Sequence, residues 1–298
     1  MWVVFSLGSA FLMAVVNMID KFVLTRWVRK PIVPLLILGL IGLVPAFVVL
    51  SIQGFPSPSV EMLLPSFLAG ASFVLMSFFY FAAAQVEDIS RLVPMFYLSP
   101  LFVSVLAAAF LGEVFPARKY LGVALLVAGA VLVSLRKKFK AFQRSGRSSW
   151  RMILAALCLA FYTVLTKRAL AASGFWTVFA WTRLSMMAVL APFFFSEGRE
   201  LRTTVCEHGL KVAALLTFNE TLAMAATLGI TIALSSGFAT LITTLSSVQP
   251  FFVLLFAMLL SLFFPKILKE ETDRSALAIK FLAILLMFLG AGLIAQLE

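Results

Sequence analysis

Ten apolar stretches, each of membrane-crossing length, fall into two sets of five on either side of one basic segment, Arg136 to Arg151. A helix rises about 1.5 Å per residue, so roughly 20 apolar residues cross about 30 Å of hydrocarbon. The stretches lie near residues 2–24, 33–51, 64–85, 91–112, 117–135, 152–171, 175–196, 210–232, 237–264 and 276–296. Five is odd, so a second set folded like the first must cross the membrane in the opposite sense. The predicted fold is an all-α membrane protein of ten transmembrane helices arranged as two inverted five-helix repeats, residues 1–135 and 152–298, with 136–151 as a basic linker.

Composition excludes a soluble globule: 62% of the 298 residues are hydrophobic, 12% are charged, and the mean hydropathy is +1.08. None of the long runs alternates polar with apolar residues, which excludes barrel strands. The first stretch lacks a basic leader and a small-residue cleavage site, so it reads as a retained helix. Two cysteines, Cys158 and Cys206, and the single His208 cannot assemble a metal shell or a thiolate cluster, so no metal or cofactor is expected. The net charge of +11 needs no nucleic acid, because basic residues that hold a cytoplasmic rim against anionic lipid account for the 136–151 segment. Lys and Arg divide eighteen to four between the two faces. The positive-inside rule therefore predicts both termini outside and the 136–151 loop in the cytoplasm.

The duplication can be read in residues. Pro100 to Ala107 leads to Phe110-Leu111-Gly112-Glu113 and then to Gly122 through Gly129; Pro250 to Ala257 is followed by Ala283 through Gly290. In this order of motifs the chain resembles the drug/metabolite transporter superfamily, and within it the ten-helix proteins built from two EamA-type domains. The resemblance implies a secondary carrier for small metabolites, multi-pass in the cell (inner) membrane, with a cavity between the halves. It also implies cytoplasmic termini, opposite to the charge count. The second half departs from the pattern: Phe263 stands where the repeat expects a counterpart of Glu113, followed by Pro265 and a charged loop carrying Glu270 and Glu271.

Ionisable groups inside apolar spans cost at least about 2.5–3.5 kcal/mol on insertion scales, so they mark cavities or partners. Glu220 in the eighth span and Arg183 in the seventh are predicted to reach similar depth, where they either pair structurally or serve coupling and substrate. Ser and Thr recur every three or four residues in the eighth and ninth spans, and Gln249 precedes a proline that frees a carbonyl. The predicted cavity residues are Asn17, Tyr80, Tyr97, Tyr162, Trp181, Arg183, Glu220, Thr240, Thr243, Ser247 and Gln249. Gate candidates at the cytoplasmic rim are Asp20, Lys21, Glu87, Asp88 and Arg91, with Pro94, Pro100 and Pro250 as bending points.

These readings favour a secondary transporter of small polar metabolites, amino acids or related amines, in the export direction, by alternating access. The alternative is a non-transporting scaffold or lipid-binding subunit. No phosphate-binding loop occurs, which speaks against direct use of ATP, and no set of groups suits an enzyme. The expected partners are a small-molecule substrate and membrane lipids. Proton coupling at Glu220 is allowed, and the oligomeric state, a monomer included, is left open.

Overall fold

The computed structural model describes residues 1–26, 30–55, 57–85, 95–134, 146–263 and 274–295. Lys21's side chain and the loop residues Glu87, Asp88, Arg91 and Pro94, with the linker core and Glu270 and Glu271, lie outside what is described. The described residues are helical apart from short connections: α1 (Trp2–Arg26), α2 (Ile32–Ile52), α3 (Val60–Ala84), α4 (Ser99–Leu111), α5 (Ala117–Ser134) and α6 (Gly146–Ala172). The next helix, Phe175–Ser236, is interrupted at Gly209. It carries two membrane-length spans, α7 (Phe175–Glu200) and α8 (Val212–Ser236). α9 (Ala239–Ser246), α10 (Gln249–Phe263) and α11 (Arg274–Ala295) complete the chain. Helix is the only economical choice here, because in hydrocarbon each backbone amide must find its partner within its own segment.

The fourth and ninth spans are broken rather than merely bent, and in the same way. Pro250 stands 150 residues after Pro100. Leu98 N–H donates to Met95 O and Leu101 N–H to Leu98 O; Val248 N–H donates to Leu245 O and Phe251 N–H to Val248 O. Proline supplies no amide proton and crowds the preceding turn, so each span restarts as a new helix one residue ahead of its proline.

Packing obeys an exchange of the two halves. α1 lies antiparallel on α8, with Trp2 against Gly237 and Ser9 against Gly229, and with Asn219 bonded to Asp20. The equivalent pair after exchange, α6 with α3, is also in extensive contact. α2 packs on α7 where Gly39 meets Met187 and Leu190. α5 packs on α11, where Gly122 and Gly129 approach Gly290 and Met287. Lipid tails are as apolar as leucine, so such contacts hold by close van der Waals approach, which small residues permit. We call the two surfaces the Trp2 face and the basic face, the latter carrying the ion pair of Lys30 with Glu197 at 2.7 Å. Glu197 holds the Lys30 ammonium above its ordinary lysine range, through the hydrogen bond first and charge second.

Gly112 ends α4 with a φ of 68°, and its turn is closed by Glu113 N–H donating to Ala107 O at 3.2 Å. A side chain at this left-handed position is strained, so Gly112→Ala is expected to lower stability by about 1 kcal/mol or more, visible as a lower thermal midpoint in detergent.

Candidate functional site

A cavity of about 190 Å³ lies between the two halves. That is roughly ten times the space one water occupies, enough for a small organic molecule. α1 presents Ser9, Met13, Val16, Asn17 and Asp20, a stripe with helical spacing; α8 presents Glu220, Ala223, Thr227 and Ile230 on its matching face. α3 adds Phe73, Met76, Ser77, Tyr80 and Phe81, and α6 adds Leu159, Tyr162 and Thr163. The broken spans supply Phe96 from one half and Thr243, Ser246 and Gln249 from the other. Tyr162 meets Phe73 edge to face at 5.1 Å, and Tyr80 meets Phe96 at 5.6 Å, giving an aromatic wall.

The polar groups of this wall are acidic or neutral. Asp20, 7% exposed, accepts a hydrogen bond of 2.6 Å from Asn219 Nδ2. Glu220, 4% exposed, follows Asn219 in α8. No lysine or arginine lines the cavity among the described residues. The hydroxyls of Ser9 and Tyr80 are buried without a protein partner. Buried polar groups rarely stay unpaired, so these two are open to a ligand or to water.

Of the residues singled out from sequence, Asn17, Tyr80, Tyr162, Glu220, Thr243 and Gln249 line the cavity. Asp20, expected at the rim as a gate, lies on the cavity wall, because α1 continues to Arg26 and buries it against α8. Tyr97 is packed in an apolar cluster with Val123 and Leu126, away from the cavity. Trp181 packs with Ala46 and Leu50, and its Nε1 has no partner. Ser247 donates to Thr243 O within the ninth span, and Thr240 is turned toward Glu113. Ser9, Ser77, Thr163 and Ser246 were not anticipated. The stripe through Asn17 and Asp20, continued backward at steps of three and four, would have reached Ser9.

Of the two roles open to Arg183 and Glu220, the ion pair between them does not form. Arg183 donates to Thr227 Oγ1 and to Met186 Sδ, and its guanidinium lies 5.1 Å from the Phe179 ring centre. The reason is length. α7 and α8 run 26 and 25 residues, about 38 Å, and the two charges enter from opposite faces to about 12 Å each, which leaves more than about 10 Å between them. Thr227, seven residues beyond Glu220, is what Arg183 meets, so Arg183 stands behind the wall. Its planar fork serves two acceptors and an aromatic face at once, which an ammonium cannot do. Arg183→Lys is therefore expected to cost about 1–3 kcal/mol, read as a lower melting midpoint with the substrate preference kept.

Residues 1–135 match the family model described as the EamA-like transporter family. No curated protein matches the chain. A solved crystal structure aligns over 99% of this chain and 96% of its own at 18% identity, with a TM-score of 0.69, and so shares the fold. Residues 1–135, just under half of the chain, are thus similar to the EamA-like transporter family, and the long apolar helices make the chain a multi-pass membrane protein.

Proposed function

We propose that the chain carries small amines with an apolar or aromatic body, by alternating access of the cavity between residues 1–135 and 152–298. The observation that carries this reading is the charge of the wall: two carboxyl-bearing residues, Asp20 and Glu220, one from each half, with no lysine or arginine lining it among the described residues. In a chain of net charge +11 an acidic cavity is a local exception, and it favours ammonium groups over carboxylates. The aromatic wall adds ring faces, which attract cations electrostatically. An α-amino acid would leave its carboxylate without a cationic partner, so we place amines ahead of amino acids.

We propose the cytoplasmic membrane as the location, with the basic face inside as the charge distribution favours. The cavity then lies on the cytoplasmic side of the apolar floor that separates it from the Trp2 face, an arrangement suited to export. Asp20 and Glu220 together can hold a cation or exchange it for a proton, without any resident cofactor.

A binding screen tests the substrate class. Purified protein is expected to gain thermal stability with aromatic and aliphatic amines and to gain none with the matching carboxylic acids. Stabilisation by the acids, with the amines inert, would refute the assignment.

A further inference from the structure

The cavity stops short of the Trp2 face. Its lining begins at Ser9 in α1 and ends at Ile230 in α8. Seven residues of α1, about 10 Å, separate Ser9 from Trp2. That depth is filled by an apolar cluster that includes Val103, Val164, Leu234 and Ile242, with Trp2 and Phe5 against it.

On the outer side of this plug one carboxylate crosses between the halves. Glu113, 6% exposed, accepts from Ala239 N–H at 2.8 Å, from Thr240 N–H at 3.2 Å and from Thr240 Oγ1–H at 3.2 Å. It thereby caps the N-terminus of α9, whose first amides have no acceptor inside the helix and carry partial positive charge. Lys167 of α6 completes the arrangement by donating to Leu234 O at 2.7 Å and Gly237 O at 2.8 Å, the carbonyl end of α8. Phe115 meets Phe238 edge to face at 5.1 Å beside them. The α8–α9 turn is thus gripped at both ends, and the left-handed Gly112 aims the grip.

The Glu113 bonds join segments 126 and 127 residues apart, one in each half, and water can take them over if the halves separate, whereas the Lys167 bonds stay within the second half. Opening this face also requires the apolar cluster beneath, which both halves share, to part. The sequence places Phe263 at the repeat-equivalent position, so this carboxylate has no aligned copy in the second half.

We propose that Glu113 is the latch of the Trp2 face: bound to the start of α9 it keeps the cavity shut on that side, and its withdrawal from Ala239 and Thr240 opens it. Lys167 positions the same turn. This inference rests on the alternating-access reading above. It gives the first half a hydrogen-bonded latch for which the second half offers Phe263 at the aligned position.

The test uses full-length protein with Cys158→Ser and Cys206→Ser, a cavity reporter Ser246→Cys, and sealed vesicles of known sidedness. An impermeant maleimide applied to the Trp2 face should label the reporter slowly, and Glu113→Ala should speed that labelling by about tenfold or more. A second variant, Phe115→Cys with Phe238→Cys in place of the reporter, joined by a short bis-methanethiosulfonate that leaves a disulfide at each cysteine, should stop amine transport until the link is reduced. Unchanged labelling in a well-folded Glu113→Ala protein, or normal transport with the link in place, would overturn the latch. The cross-link decides alone if Glu113→Ala fails to fold. A reporter sealed from both faces in every variant would instead remove the alternating-access reading, and the latch with it.

Discussion

Replacing Glu220 with Gln is expected to lower amine transport by about 10- to 100-fold while leaving the protein folded. The substitution keeps the shape of the side chain and removes its ability to carry a negative charge. A hydrogen bond to a charged group contributes about 1.5–3 kcal/mol, and each 1.4 kcal/mol is a factor of ten. Because Glu220 lines the cavity beside the Asn219–Asp20 hydrogen bond, the loss should appear as weaker substrate binding. Initial rates of uptake into proteoliposomes at several amine concentrations read it directly. Arg183→Lys provides the contrast: it disturbs a buried contact behind the wall and should lower the melting midpoint more than the affinity. Wild-type rates and affinity in Glu220→Gln would exclude this carboxyl from substrate handling.

Gly290→Leu is expected to prevent assembly of the fold. A side-chain carbon at Gly290 would meet Gly122 O at 2.6 Å and Leu126 N at 2.7 Å, both backbone atoms of α5. Backbone cannot yield as a flexible side chain does, so α5 and α11 would have to part. Overpacking a tight contact costs about 1–3 kcal/mol or more, and a membrane helix pair has no hydrophobic driving force to offset that loss. Gly292→Leu, two residues on, is the control, because nothing lies within 4 Å of a carbon added there. Size-exclusion profiles and melting curves in mild detergent should show an aggregated or absent Gly290→Leu protein beside a normal Gly292→Leu one. Equal behaviour of the two would contradict the observed packing of α5 on α11.

Much of this architecture is legible in the sequence because the bilayer narrows the choices. Span length, the odd number per half and the shared order of prolines and glycines lead to two inverted units. The breaks ahead of Pro100 and Pro250 follow from proline chemistry, although whether a span bends or restarts depends on the turn that precedes it. The segment between α7 and α8 was less readable: its charges suggest a loop, yet the backbone stays helical up to Gly209.

The site was legible only in part, for a geometric reason. Helical spacing tells which residues share a face but not which face looks inward, so Thr240 reads like Thr243 in the sequence although it serves Glu113 instead. Depth estimates from loop to residue bring Arg183 and Glu220 level only if the spans are short. In helices of 25 and 26 residues they are not. Asp20, near a span end, reads as a rim charge until its partner Asn219, 199 residues away, is seen. Such long-range partners leave no local trace in a sequence.

We propose that an acidic cavity shared by two inverted halves selects cationic small molecules and carries them across the membrane. Counterflow in proteoliposomes tests it most directly, with vesicles preloaded with an unlabelled aromatic amine and given the labelled amine outside. Rapid transient accumulation is expected, blocked by other amines, indifferent to the corresponding acids, and lost in Glu220→Gln. Accumulation driven by the acids instead, or none with any amine in protein shown to be folded, would contradict it.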